Sequence, residues 1–461
     1  MKNFFWNKIP LEYYFLIIGL FFGMKLVFIN PPWQTNDEDR HFYNSWNYAH
    51  GFLTPSIQGN KVGNPMPVKI FEQVQSFQGI RFNEQSKINH QTISDDKEII
   101  YEKSDTFFYN NPNYNINPVG YLPAILGIKL GELFKQNPIT VHWWARTFGL
   151  FAFLLIVFYA IRIIPVYKNV MMLVALAPMS LYQAASVTYD TLCIASSFLL
   201  FAFIVKWLFQ KEKISRKDLI LFFLAFVIQI FSKPGYYFIP FLLLMIPPDK
   251  FSFSFPKIKL TVMVLAVIML PSITWGMYIK SFHFPAGKPF QNDFLFNTSQ
   301  NLSFHLKNIP GMISDLLRNI LVQGKEWIKG CVGRFGYSYT PLPGSWIFMY
   351  ALALFGMASV DHDAGFKLNV RQRVISAVLL VASLGALIAG FYIMGSPVGA
   401  RFIFGFQGRY FIPVLPLVLF QLYGTIPNNL KKFLPLITIL ISILMLYKTV
   451  GFIEETFYFA T

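Results

Sequence analysis

The sequence predicts an all-α integral membrane protein, a bundle of about eleven transmembrane helices, on three observations. Of 461 residues, 54% are hydrophobic and only 13% charged, about half the charged share of an ordinary soluble domain. Apolar runs recur from Leu11 to Phe452 with short polar breaks, and a hydrocarbon core of about 30 Å needs about 20 apolar residues per helical crossing. The charged residues gather in those breaks, so residues 1–461 read as one polytopic membrane domain.

The first element is Leu11 to Ile29, preceded by Lys2 and Lys8 and followed by no small-residue cleavage pattern, which reads as a retained first helix. Further spans are expected at Val141 to Ile163, Val170 to Val187, Thr191 to Phe209, Leu219 to Phe231, Tyr236 to Ile246 and Leu260 to Ile279. Four more follow at Trp346 to Ser359, Val374 to Met394, Phe411 to Tyr423 and Phe433 to Val450. With Lys2 and Lys8 inside, the positive-inside rule places Lys168, Lys211 to Lys217, Lys250 to Lys259, Lys367 to Arg373 and Lys431 to Lys432 inside as well. This parity requires Pro118 to Phe134 to lie along the membrane surface rather than cross it.

Two long extracytoplasmic segments result, 30–140 and 281–345, with small outer turns near Asp190, Lys233 and Gly395 to Gly408. In the second, Ile309, Met312, Ile313, Leu316, Leu317, Ile320 and Leu321 recur at helical spacing opposite Asp315, Arg318 and Asn319. That pattern predicts an amphipathic helix resting on the outer leaflet. The net charge of +16 comes from brief loops, where membrane orientation explains it, so nucleic acid is not an expected partner. Cys193 and Cys331 are too few for a disulfide framework or a zinc cluster.

Chemistry is expected where polar residues meet the outer surface. After the first span comes NPPWQTNDEDRHFYNSWNYAHG: Pro31 and Pro32 stop the helix, and Asp37, Glu38 and Asp39 open a new one. Asp37, His41, Asn44 and Tyr48 share one face at i, i+4, i+7, i+11, with Phe42, Trp46 and Ala49 on another. A carboxylate there is placed to act as a base, although acidic residues also favour a first helical turn for electrostatic reasons alone. Asp190 is the only charge between Lys168 and Lys206, in a turn where a helix cap would also account for it. Lys233, before Pro234 and Gly235, and Arg401 and Arg409 place cations at the outer surface against the positive-inside bias. Singly, each is explained by snorkelling; jointly, they suit an anionic headgroup such as a lipid phosphate.

These residues carry a resemblance. Through DEDRHFYNSWNYAHG, NPVGYLPAILGIKL, SVTYDTLCIASSFLLFAF, SKPGYYFIPFLLLMIP and FQGRYFIPVLPLVL, the sequence resembles the GT-C superfamily of membrane glycosyltransferases, and within it an uncharacterised bacterial family of predicted membrane proteins. The resemblance implies a GT-C-like bundle in the bacterial cytoplasmic (inner) membrane, with an extracytoplasmic active site. It implies Asp37 as catalytic base, with Glu38 as helper or substrate ligand, Asp190 at the acidic position of the second outer loop, and Lys233 on the lipid phosphate. The order here is Lys-Pro-Gly, an inversion of the family's order. Gln407, Gly408, Arg409 and Tyr410 match the late motif facing the same cavity, and His41 and Arg401 join the expected substrate-binding set.

The implied activity is inverting transfer of a sugar from a polyprenyl-phosphate donor to a hydroxyl of a glycan, lipid or protein acceptor of the cell envelope. No cofactor is firmly expected and a divalent metal is left open. A transporter or flippase of lipid-linked glycans would place ionisable groups near the midplane in interrupted helices, and a polymerase would not need the acidic cluster after the first helix.

Overall fold

The computed structural model describes residues 9–59, 61–83, 85–96, 105–110, 117–233, 235–251, 257–281, 297–337, 340–363, 365–427 and 430–459. Lys2, Lys8, Pro234 and residues 282–296 of the second long loop lie outside them. The chain is mostly helical, and among the described residues six helices are long and apolar enough to cross a membrane.

In chain order the elements begin with α1 (Leu11–Ile29) and α2 (Glu38–Ala49). A small antiparallel sheet and two short helices follow: β1 (Ser56–Gln58), β2 (Lys61–Pro67), α3 (Val68–Ser76), α4 (His90–Asp96) and β3 (Thr106–Asn110). Strand β2 is central, with Ile57 opposite Val62 and Asn64 opposite Tyr109. Next come α5 (Leu122–Leu133), α6 (Pro138–Ile163), α7 (Lys168–Ala175), α8 (Pro178–Ala184), α9 (Asp190–Phe209), α10 (Arg216–Ser232) and α11 (Lys257–Ser281). The remainder is α12 (Thr298–Leu306), α13 (Ile309–Val332), β4 (Arg334–Phe335), β5 (Thr340–Pro341), α14 (Gly344–Val360), α15 (Val370–Met394), α16 (Leu415–Phe420) and α17 (Leu434–Phe457).

The six long apolar helices are α1, α6, α9, α11 through its stretch Thr261–Tyr278, α15 and α17. Each coincides with an expected span. Of the other five expected spans, three are broken at prolines and two are covered by unbroken helices one residue shorter than the 18-residue stretch Thr261–Tyr278. Pro178 splits Val170 to Val187 into α7 and α8, since a proline cannot donate into the preceding turn. Tyr236 to Ile246 holds a 3-10 helix, Ile239–Met245, with Pro240 at its start. Phe411 to Tyr423 holds a 3-10 segment, Gly408–Val414, interrupted by Pro413 and followed by α16. Helices α10 and α14 have 17 residues each, about 26 Å at 1.5 Å per residue. Helix α5, at 12 residues, is about 18 Å long and too short to cross.

Apolar residues on both faces mark these helices as membrane elements rather than core helices of a soluble protein. In α1, Phe15, Ile18, Phe22 and Leu26 are buried while Ile17, Phe21 and Phe28 are exposed. Helix α6 sits between α1, α5 and α9, and α9 is the most enclosed of the long helices. The α5–α6 contact depends on Gly127, where a Cβ would lie 2.5 Å from the Trp144 carbonyl oxygen and 2.7 Å from Ala145 Cα.

Helix α13 is turned inside out: Ile309, Ile313, Leu317, Ile320 and Leu321 are exposed, while Asn319 is buried. Asn319 donates to the Arg401 carbonyl at 2.8 Å and accepts from the Ile403 amide at 2.9 Å. Most of its apolar stripe therefore faces away from the protein, while Met312 and Leu316 pack partly against the core.

The two ends of the bundle differ in chemistry. At one end, Lys168 meets Glu12 at 3.6 Å, Lys206 meets Asp218 at 2.8 Å, Lys431 meets Asp363 at 2.6 Å, and Asp361 accepts from the amides of Asn169 and Val170. At the other end, α1, α10 and α17 finish and α9 begins. The segment between α1 and α5 is tied down there: Gln34 Nε2 donates to Phe77 O at 2.8 Å, and Ile88 exchanges backbone bonds with Phe457 and Phe459.

Candidate functional site

Helix α1 stops because Pro31 and Pro32 bring no amide hydrogen, and the chain then makes a tight buried turn into α2. Trp33 (φ 64°) and Asp37 (φ 61°, ψ 15°) both lie in the left-handed region, unusual for residues with a Cβ. Buried partners over-determine this turn, as such strain requires. Asn30 Nδ2 donates to Thr35 Oγ1 at 2.9 Å, and Thr35 Oγ1 bonds Ser186 Oγ at 2.7 Å.

Glu38 anchors the turn from within. Its carboxylate is fully buried and accepts from Arg146 Nε at 2.8 Å, Arg146 Nη2 at 2.6 Å and the Val187 amide at 3.0 Å, with His142 Nε2 at 3.3 Å. Burial pushes this carboxyl up, but Arg146 and His142 more than offset it and hold it below the usual carboxylate range. Glu38 therefore does not stand beside Asp37 as a helper or substrate ligand. Its oxygens are closed off by α6, and it faces the interior.

Asp37 faces the other way. Its side chain is 41% exposed, 3.9 Å from Arg40 Nη1 and 3.8 Å from Arg409 Nη2. Its amide donates to Tyr337 Oη at 2.6 Å, and Tyr337 in turn donates to Asp39 at 3.0 Å. Arg81 closes this network, reaching Asp39 at 3.1 Å and the Trp33 carbonyl at 3.1 Å while lying 4.4 Å over the Tyr337 ring. Burial and then Asp39 push the Tyr337 phenol up, so it stays a donor to Asp39.

The cations come from distant elements. Asp190, the first residue of α9, meets Lys233 Nζ, just past α10, at 2.7 Å and Arg409 Nε at 3.5 Å. Lys233 also lies 3.8 Å over the Tyr410 ring, which stacks on Phe391 at 4.8 Å. Tyr236 Oη holds the Tyr410 carbonyl at 2.9 Å. Gln407 accepts from Asn36 Nδ2 at 3.1 Å, joining the late motif to the turn before Asp37. Thus Asp37, Asp190, Lys233, Gln407, Arg409 and Tyr410 converge. Arg401 does not join them: its side chain is exposed, and its carbonyl is bound by Asn319.

The late motif comes this close to α13 because of Gly408. A Cβ there would overlap the Trp327 carbonyl oxygen and lie 2.6 Å from the Cys331 amide nitrogen, both rigid backbone. Gly408→Ala is expected to push Gln407 to Tyr410 away from the cluster, lowering stability by about 1–3 kcal/mol as overpacking does. Thermal melts of the purified protein check this, and an unchanged melting temperature contradicts it.

His41 is buried rather than lining an open face, and this corrects the expected amphipathic helix. Helix α2 is enclosed on nearly all sides. His41 Nδ1 pairs with Tyr121 Oη at 2.7 Å, with Asn44 and Tyr48 against the same tyrosine. Burial, only partly countered by Asp37 and Asp190, lowers His41 from 6.5 to about 4, so it is neutral at pH 7. The unfolded chain takes up this proton first, so the associated stability is complete above pH 6.5 and lost as pH falls towards 4. Between pH 7 and 5 the wild type should lose about 2 kcal/mol more than His41→Gln. Equal losses in melts at the two pH values would contradict this.

Arg146, His142, Tyr337 and Arg81 were not singled out by the sequence. For Arg146 and His142 a signal existed, because an ionisable residue inside an apolar span is uncommon. Tyr337 and Arg81 carry no local signal. Among the described residues no three His, Cys, Asp or Glu side chains gather as a metal site.

No curated protein and no solved structure matches the chain. Residues 20–418 match the family model described as "Predicted membrane protein (DUF2142)", a span that includes every residue of this cluster. The chain therefore belongs to the DUF2142 family of predicted membrane proteins.

Proposed function

We propose that this protein is an inverting glycosyltransferase of the GT-C type, moving a sugar from a polyprenyl-phosphate donor to a hydroxyl of a cell-envelope acceptor. The observation that carries the reading is the convergence of Asp37, Asp190, Lys233 and Arg409 at one end of an apolar bundle. In this reading Asp37, exposed and otherwise held only at 3.8 Å or more, takes the acceptor hydroxyl proton. The acceptor oxygen bonds to the anomeric carbon, the bond from that carbon to the phosphate oxygen breaks, and the phosphate leaves with the electron pair. Lys233 and Arg409 balance the charge that develops there. Asp190 keeps both cations in place between turnovers, and the Tyr410 ring supports the Lys233 ammonium.

The same reading assigns a side. The end with Lys168, Lys206, Lys211 to Lys217, Lys250, Lys367 to Arg373 and Lys431 suits the cytoplasm, which leaves the cluster extracytoplasmic in a bacterial inner membrane. The broken and shorter elements, α7 with α8, α10, α14 and the two 3-10 segments, would complete a bundle of about eleven crossings.

The test is transfer of labelled sugar from polyprenyl-phosphate-linked donors by the purified protein in nanodiscs. Lys233→Ala, with folding confirmed by its melting curve, should lower turnover about 10²-fold, the scale for losing one preorganised charge partner. Wild-type turnover in a folded Lys233→Ala protein would remove the phosphate-binding role.

A further inference from the structure

Beside the cluster, on the α13 side of Arg409, lies a cavity of about 270 Å³ between α8, α13, the turn before Asp37 and residues 405–409. This is slightly below the range of about 300 Å³ and upwards typical of drug-sized ligands, and so suits a single ring rather than a lipid chain. Four neutral amides line it: Asn36, Gln183, Gln323 and Gln407. Two charged residues on its wall, Glu326 and Arg334, pair with each other at 2.9 Å. The remaining cation, Arg409, is shared between two carboxylates. Trp327 adds an aromatic wall.

Two buried polar atoms on this wall lack hydrogen-bond partners. Gln183 Oε1 belongs to a side chain only 1% exposed, and its amide nitrogen reaches only the thioether sulfur of Met179, at 3.5 Å. Arg409 Nε, at ion-pair distance from Asp190, makes no hydrogen bond either. An enclosed acceptor and an enclosed donor left open in this way are unfavourable, and a bound ligand would relieve both.

The lining selects a class of ligand. Amides offer both donors and acceptors, as hydroxyls do, whereas an anion would want uncommitted cations and an apolar group would strand the amides. We infer that this cavity is a binding subsite for one uncharged, hydroxyl-rich sugar ring, held by Gln183, Gln323 and the Asn36–Gln407 pair, with its apolar ring face towards Trp327. Placing that ring on the transferred sugar or on the acceptor's terminal sugar rests on the glycosyltransferase reading; the cavity's chemistry does not.

Saturation-transfer NMR with methyl glycosides on the full chain in nanodiscs tests it. The wild type should take up at least one neutral methyl hexoside, and Gln183→Met and Gln323→Met should weaken that binding at least tenfold. Gln323 is only half-buried, so its variant keeps the test alive where Gln183→Met fails to fold. Asp37→Asn should bind the same glycoside as the wild type, which separates this inference from catalysis. Displacement by a polyprenyl-phosphate sugar but not by bare polyprenyl phosphate assigns the subsite to the donor sugar; persistence in both assigns it to the acceptor. No binding by any methyl glycoside, or wild-type binding in a folded Gln323→Met protein, overturns the subsite even if sugar transfer is found.

Discussion

Replacing Arg146 with alanine is expected to leave little folded protein in the membrane. The guanidinium is fully buried and makes five hydrogen bonds: two to Glu38, and one each to the carbonyls of Val27, Asn30 and Pro31. Val27 and Asn30 lie at the end of α1, where carbonyls have no helical partner, so one side chain caps a spanning helix and neutralises a buried acid. Its loss leaves the Glu38 carboxylate with His142 and the Val187 and Thr35 amides but no guanidinium, at about 3–5 kcal/mol for a buried charge robbed of its partner, and three carbonyls lose donors as well. That approaches the whole stability of a typical protein. Lysine carries the charge but cannot span both carboxylate oxygens and the three carbonyls, so Arg146→Lys should fall between. The decisive comparison is with the Glu38→Leu/Arg146→Leu double variant, which removes both charges and should melt above Arg146→Ala. An Arg146→Ala protein that melts within a few degrees of the wild type would refute this account of the turn.

Much of the fold was legible because hydrophobic length is a direct consequence of bilayer thickness. Helix α1 begins and ends at the expected residues, Leu11 and Ile29, where Pro10 precedes and the Pro31–Pro32 pair follows. The α13 stripe was likewise readable, since Ile309, Ile313, Leu317 and Ile320 share a face whatever covers it. The short elements were harder. An apolar run around Pro178 has the composition of a span, and the break depends on a single missing amide that average hydropathy does not register. Residues 236–246 are apolar enough, but Pro240 and Pro247 leave them a 3-10 helix.

At the site, the sequence did not show that Asp37 and Glu38 diverge as they do: Asp37 precedes α2 in the left-handed conformation, and Glu38 opens the helix. What they point at did not follow either. The stripe of His41, Asn44 and Tyr48 looks solvated in isolation, and only the arrival of Tyr121, some 80 residues on, turns it into a buried contact. The Tyr337 link to Asp37 and Asp39 joins positions about 300 apart and leaves no local trace. Conversely, Arg146 was visible as a lone charge in an apolar run, and it proves to serve the turn that presents Asp37.

Asp37→Asn is expected to abolish most sugar transfer while leaving the fold intact, and the two halves of that statement have separate causes. Stability should hold because the Asp37 side chain caps nothing: it makes no capping hydrogen bond to α2, and the turn is fixed by its backbone amide on Tyr337. Asparagine also tolerates the left-handed conformation this position requires. Catalysis should fail because the amide cannot accept a proton at neutral pH, and a positioned general base contributes about 10²–10⁴-fold. The loss belongs in kcat with KM for the lipid donor little changed, since Lys233 and Arg409 remain. Asp39→Asn makes the contrast: Asp39 is committed to Arg81 and Tyr337, so its variant should lower the melting temperature as well as turnover. If folded Asp37→Asn transfers sugar at the wild-type rate, the proton must leave by another route, and the outward turn of Asp37 would need a different explanation.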